Sequence, residues 1–343
     1  MDPASDPLRV GIVGLGYWGP NVLRNFRQLP GCRVVAMADA DPARLAEASG
    51  LNPDVRGFAS GEDLVEDSEV DAVVLALPAH HLPELAARAL SAGKHVLVEK
   101  PMAPSLQAGE AMLEAAEGSD RVTMVDFTFV YSPAVRYLRT VLEGGELGSA
   151  QYYQSTRINL GRFQPDVDVV WDLVVHDVSI LTYLLDRDPT SVLATGSGRT
   201  GTIDTAHVTL TYDDDFHAFV HVSWLAPIKV RTSLLACRNG MAVYNDVDPD
   251  EKIRLYQVEE TFAPERESAI VPTFRLGDVR IPRLPQEEPL RAMAERFRDA
   301  AAGGPRPETD WRFGVRVLRV LEAARRSLRT GETVPISSPV ASP

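Results

Sequence analysis

The stretch Val10–Asn21, VGIVGLGYWGPN, decides how the first third of the chain is read. Gly14, Gly16 and Gly19 spell G-x-G-x-x-G directly after an apolar run. On that spacing the first glycine permits a tight turn, the second lets backbone approach a pyrophosphate, and the third lets helix and strand pack closely. Pro20 follows the third glycine, where a first helical turn tolerates proline. Ordinary turns and methyltransferase loops also use glycine clusters, so the flanking sequence carries the decision.

That flanking sequence alternates strand and helix. RVGIVGLG, CRVVAMAD, DAVVLALP, KHVLVEK and RVTMVDF read as apolar strands. NVLRNFRQL, PARLAEAS, LPELAARALSAG and SLQAGEAMLEAAEG read as the helices between them. Strict alternation with nearly continuous apolar strands predicts a doubly wound parallel sheet of the Rossmann type. The helix N-terminus after the glycines then offers N–H groups and partial positive charge to phosphates. Asp39 ends the second strand, where a carboxylate accepts ribose hydroxyls and repels a 2′-phosphate. NAD is therefore expected over NADP, with Arg44 one helical turn on able to soften the preference.

Near residue 130 the pattern changes. TAHVTLTYDDDFHAFVHVSWL reads as two strands around an acidic turn, and TSLLACRNGMAVYN as a hairpin turning at Asn239-Gly240. IRLYQV adds a further strand. EEPLRAMAERFRDAAAGG and WRFGVRVLRVLEAARRSLRTG are amphipathic helices. The expected organisation is a dinucleotide-binding domain over 1–129, an α+β domain with a large, mainly antiparallel open sheet over 130–335, and a disordered tail over 336–343. Apolar residues on the strands' outer faces predict a subunit interface on that sheet.

Composition excludes several classes. The net charge of −13 repels phosphate backbones, so nucleic acid is not an expected partner. Cys32 and Cys237, distant and in apolar contexts, read as buried small hydrophobes, with no zinc-type spacing. No apolar run spans a bilayer and MDPASDPLR carries no apolar leader, so a cytoplasmic protein without a membrane partner is expected.

Two segments point to chemistry. HVLVEKP puts Lys100 just past a strand's C-terminal end, the ligand edge of an open parallel sheet. VVWDLVVHDVSILTYLL starts a helix near Asp172, and Asp172, His176, Ser179 and Tyr183 fall on one face of it. Leu173, Ile180, Leu181 and Leu184 line the other.

Taken together, GLGYWGPN, GKHVLVEKPMA, RINLGRF, VVWDLVVHDVSIL and EEPLRAMAERF resemble the Gfo/Idh/MocA family over nearly the whole chain. These are the relatives of glucose–fructose oxidoreductase and inositol dehydrogenase. The resemblance implies hydride transfer between nicotinamide and a ring carbon of a carbohydrate, and a homodimer or homotetramer through the open C-terminal sheet. It assigns Lys100 and His176 to the reacting hydroxyl or ketone, one as acid/base and one polarising the oxygen, with Asp172 holding the sugar or tuning them. Cofactor contacts are expected from Gly14, Gly16, Tyr17, Trp18, Gly19, Asp39, Pro78, His81, Glu99 and Lys100. Two departures stand out: Val174-Val175 where many members have Gly or Gly-Pro, and Asp126 where many have histidine.

The segments most resemble nucleotide-sugar dehydrogenases, so a UDP- or dTDP-linked sugar oxidised or reduced at C3 is the first expectation. Substrate contacts are then expected from Arg157, Asn159, Arg162, Asp172 and His176, because arginine forks grip a pyrophosphate. The alternatives are a free-sugar or inositol dehydrogenase, a redox-neutral lyase or glycosidase using NAD transiently, and a non-catalytic NAD-binding regulator. The methyltransferase reading explains neither EKP nor the Asp–His helix.

Overall fold

The computed structural model describes residues 6–161, 167–199, 201–262 and 272–336. The chain divides into two compact units, one formed by 1–132 with 287–318, the other by 133–286 with 319–343.

The first unit is a six-stranded parallel sheet. Its strands are β1 (Leu8–Val13), β2 (Cys32–Ala38), β3 (Arg56–Phe58), β4 (Ala72–Leu75), β5 (His95–Val98) and β6 (Thr123–Val125). They lie in the order β3-β2-β1-β4-β5-β6. The connecting helices are α1 (Gly19–Gln28), α2 (Pro42–Leu51), α3 (Gly61–Glu66), α4 (Leu82–Ser91) and α5 (Leu106–Ala116). All of β4 and β5 is buried, as continuous apolar strands covered on both faces must be. The order reverses direction at β1 and β4, so a crevice opens at their C-terminal ends. β3 and α3 are too short to show a period and went unseen in the sequence.

The second unit carries a nine-stranded sheet. Its elements are α6 (Pro133–Glu143), β7 (Ala150–Leu160), α7 (Val175–Leu185), β8 (Ser191–Ser197), β9 (Thr205–Thr211), β10 (His217–Ser223), β11 (Leu225–Cys237), β12 (Gly240–Asn245), β13 (Ile253–Phe262) and β14 (Pro272–Arg280). After α8 (Pro289–Ala301) and α9 (Trp311–Thr330), β15 (Val334–Pro335) completes it. The order is β14-β13-β12-β11-β7-β10-β9-β8-β15. Only β7 and β10 pair in parallel. The β11–β12 hairpin turns through Arg238-Asn239, with Cys237 opposite Gly240, one residue earlier than the sequence suggested. On one sheet face Ala218, Val220 and Val222 are buried. On the other, Tyr152, Leu193 and Phe219 are exposed, and the rings of His207 and His221 stack 4.4 Å apart.

The closing helices depart from the expected division. α8 belongs to the first unit, as does α9 through Leu318. Phe297 of α8 meets Phe26 of α1 edge-on at 6.3 Å, and Glu288 accepts hydrogen bonds from Arg24 and Asn25. Thr309 extends β6: its carbonyl accepts from Val125 N at 2.8 Å and its hydroxyl donates to Val125 O at 2.8 Å. Periodicity identifies an apolar helix face but not the surface that it covers. From Arg319 onward α9 serves the second unit, where Ser327 Oγ accepts from Ala194 N at 2.8 Å. Ile336 N donates to Thr190 O, and the rest of the expected tail, 337–343, lies outside the described residues.

Candidate active site

In the first unit the sequence-predicted residues gather at the C-terminal ends of the parallel strands. Gly14 follows β1 with φ +93°, a conformation that side chains resist. A Cβ on Gly19 would lie 2.1 Å from Gly14 O, so this glycine serves turn-to-helix packing. Gly16 is different. A Cβ there would meet only an Arg44 nitrogen at 3.5 Å, an ordinary contact. Neither packing nor backbone conformation calls for glycine at 16, whereas close approach of a phosphate does. Trp18, the α1 N-cap, makes no side-chain cap hydrogen bond, and Pro20 opens the first turn. The helix end is thus suited to an anion. Tyr17 and Trp18 are 70% and 48% exposed, and their rings meet edge-on at 5.5 Å.

Asp39 stands one residue past β2. One carboxylate oxygen accepts from Leu15 N at 2.7 Å and the other from Asp41 N at 2.8 Å. These bonds fix it beside the glycine loop with lone pairs remaining for ribose hydroxyls. Arg44 instead faces Asp41, Nε to Oδ2 at 3.4 Å. These features fit a dinucleotide. Pro78 and His81 lie exposed on the turn after β4. Lys100 is half-buried just past β5.

Glu99, expected among the cofactor contacts, follows β5 at the same edge. It is 8% exposed, and its Oε2 accepts from Lys100 N at 3.0 Å. Its neighbour is Asp126, 4% exposed, which also accepts from the Thr128 hydroxyl. Burial first, then the charge of Asp126, pushes Glu99 up to about 8. Burial pushes Asp126 up to about 6.

In the second unit the helix carrying Asp172 and His176 is not regular at its start. A π turn spans Val170–Val174 before α7 begins. The cap is Asp168, whose Oδ1 accepts from Val170 N and Trp171 N at 2.9 and 3.0 Å. Asp172, expected near the cap, sits inside the π turn, and its Oδ2 accepts from the fully buried Trp224 Nε1 at 3.0 Å. The indole fixes that carboxylate. His176 follows on α7. Asp172 and His176 are half-buried among fully buried neighbours, as a polar stripe requires. Ser179 leaves the stripe: it is fully buried, and its hydroxyl donates to His176 O at 2.8 Å. Tyr183 is drawn to α6, under the Arg139 guanidinium at 5.1 Å.

Arg157, expected among the substrate contacts, is 3% exposed, and its Nε donates to Asp177 Oδ2 at 3.0 Å. Tyr153 donates to Asp177 Oδ1, also at 3.0 Å. Arg157 shares strand parity with the buried Tyr153 and Ser155, so it points under the helices. Asn159 continues that face and is half-buried, while Arg162 lies outside the described residues. Asp177 and Asp168 were missed. The signal for Asp177 was a second acid beside His176 on the apolar face of HDVSIL.

Comparison with known proteins agrees with this geometry. Residues 8–127 match the oxidoreductase family with NAD-binding Rossmann fold, and residues 135–243 match the GFO/IDH/MocA C-terminal domain. An inositol 2-dehydrogenase 2 of Saccharopolyspora erythraea is 31% identical over 57% of this chain and 58% of its own. That match spans little more than half of the relative. An inositol 2-dehydrogenase of Pseudomonas fluorescens is 27% identical over 97% of each chain. The crystal structure of an NAD binding oxidoreductase from Klebsiella pneumoniae superimposes with TM-score 0.82 at 19% identity, covering 97% of this chain and 100% of that one. NAD is the cofactor, and the chain belongs to the GFO/IDH/MocA family of NAD-binding oxidoreductases.

Proposed function

We propose that the protein is an NAD-dependent dehydrogenase of a cyclitol or free sugar, oxidising one ring hydroxyl. The observation that carries the choice is Arg157. One of the two arginines expected to fork a nucleotide diphosphate is held by Asp177 inside the second unit. Asp172, His176 and Asn159 are half-buried in the same unit, a short-range polar set suited to hydroxyl groups. Relatives named as inositol 2-dehydrogenases support the same class over the nucleotide-linked sugar expected first.

Bound NAD supplies the hydride acceptor. Gly14–Gly19 and Asp39 hold it. The family resemblance gives His176 the hydroxyl proton and Lys100 the polarising role, and Asp172, fixed by Trp224, is assigned to orienting the substrate hydroxyls. General acid–base groups of this kind contribute about 10²–10⁴-fold. Lys100→Ala and His176→Ala are therefore expected to lower kcat by about that factor with NAD affinity unchanged. Nicotinamide absorbance, followed with myo-inositol, glucose and UDP-N-acetylglucosamine in parallel, tests the substrate class. A rise with the free polyols is expected. A rise confined to the nucleotide sugar, or wild-type turnover in both variants, overturns the reading.

A further inference from the structure

β5 and β6 run in register, Val98 beside Val125, so Glu99 and Asp126 leave adjacent strands at the same edge. Both side chains are buried there, 8% and 4% exposed. Two neighbouring carboxyl groups out of water do not both ionise, because each charge is desolvated and repels the other, so one of them keeps a proton. The surroundings decide which group holds it. Asp126 accepts from the Thr128 hydroxyl, which stabilises its ionised form, and Glu99 accepts from the Lys100 backbone N–H. Lys100 is the cation that acts on both. On the flanking side β4 presents Ala72–Leu75, without a titratable side chain. Buried positions of α5 are Gly109 and Met112, and Gly314 of α9 packs against Met102 and Val125. His80 and His81 are exposed on the turn after β4. The hydroxyl of Tyr131, in the turn after β6, is spent on Thr309.

We propose that Glu99 and Asp126 are a one-proton carboxyl pair that sets the charge beside Lys100. At neutral pH the pair carries a single negative charge, and the alkaline ionisation of the site is loss of the shared proton from this pair to solvent. Both are positioning residues, acting on the reaction through Lys100. The kinetic part rests on the dehydrogenase reading; the proton itself does not.

The test is a titration of the full chain, labelled with ¹³C at Asp and Glu side-chain carboxyls, without substrate. One carboxyl is expected to keep its proton at pH 7 and lose it around the value of about 8 given by burial and the Asp126 charge. Glu99→Gln should abolish that signal. Asp126→Asn should move it to lower pH, because the neighbouring charge is gone. Carboxyls that all titrate in the ordinary range near 4 to 4.5 would overturn the pair, as would a signal unmoved in both variants. If Asp126→Asn does not fold, the isosteric Glu99→Gln decides alone. In the kcat/KM profile for myo-inositol, Glu99→Gln should remove the alkaline limb. A shared proton without polyol turnover leaves the pair standing and removes the function; turnover without an alkaline carboxyl does the reverse.

Discussion

Replacing Asp177 by Asn tests whether the second unit is held together by a buried charge. Asp177 and Arg157 are 0% and 3% exposed, and their 3.0 Å contact is joined by Tyr153, whose hydroxyl oxygen in turn accepts from the Ser233 hydroxyl at 2.9 Å. Asn keeps the shape and still accepts from Tyr153, but it leaves the guanidinium charged in a dry interior. Removing one partner of a buried pair costs about 3–5 kcal/mol, most of it the stranded charge. In a domain of about 150–250 residues each kcal/mol moves Tm by about 2–4 °C, so a fall of about 6–20 °C is expected. Urea unfolding followed by tryptophan fluorescence measures it, with Trp171 and Trp224 both buried in that unit. Arg157→Met combined with Asp177→Leu should recover most of the loss, since an apolar pair of similar volume is often neutral or better. A single Asp177→Asn costing less than about 1 kcal/mol would refute the reasoning, because it would mean that water or another group already screens the guanidinium.

The glycine loop offers a contrast within one motif. Gly16→Ala should fold normally and weaken NAD by about 10–100-fold, whereas Gly19→Ala should lower Tm, its Cβ lying 2.1 Å from Gly14 O; isothermal titration and calorimetry separate the two. Stability should also depend on Glu99 above the ordinary carboxyl range. Its folded value is raised to about 8, so the stability it contributes is complete below about 4.5 and is lost as pH rises through about 8. Tm against pH should fall across that window in the wild type and fall less in Glu99→Gln. Finally, Leu193, Thr209, Phe219 and Gln154 form one cross-strand row on the exposed sheet face, proposed to seat a second copy. Phe219→Asp should then yield monomers by light scattering, and an unchanged mass would remove that assignment.

Much of this was readable in the chain because each first-unit strand is apolar throughout and each helix keeps its period. The glycines, Asp39 and Lys100 fell at the sheet edge because strand ends are legible when strands are. What escaped has one physical origin. Charge in the sequence points to a ligand, and at two places the fold turns charged residues inward. In QYYQSTRINL the parity that buries Tyr153 and Ser155 also buries Arg157, so the alternation itself points inward while the guanidinium suggests a ligand. The second place is the end of β5, where Glu99 continues a fully buried strand.

The two sites meet the same desolvation cost in opposite ways. Arg157 keeps its charge in any environment near neutral pH, so the interior must supply a counter-charge, and Asp177 is that partner. A carboxyl has another route, because it can retain a proton. Glu99 and Asp126 share one, and no arginine is needed beside them. The difference fixes what each site can do. The arginine–carboxylate pair is a fixed contact between β7 and α7, so it anchors the helix that carries His176. A carboxyl pair ionises within reach of physiological pH, so placed beside Lys100 it makes the charge of the reacting edge depend on pH.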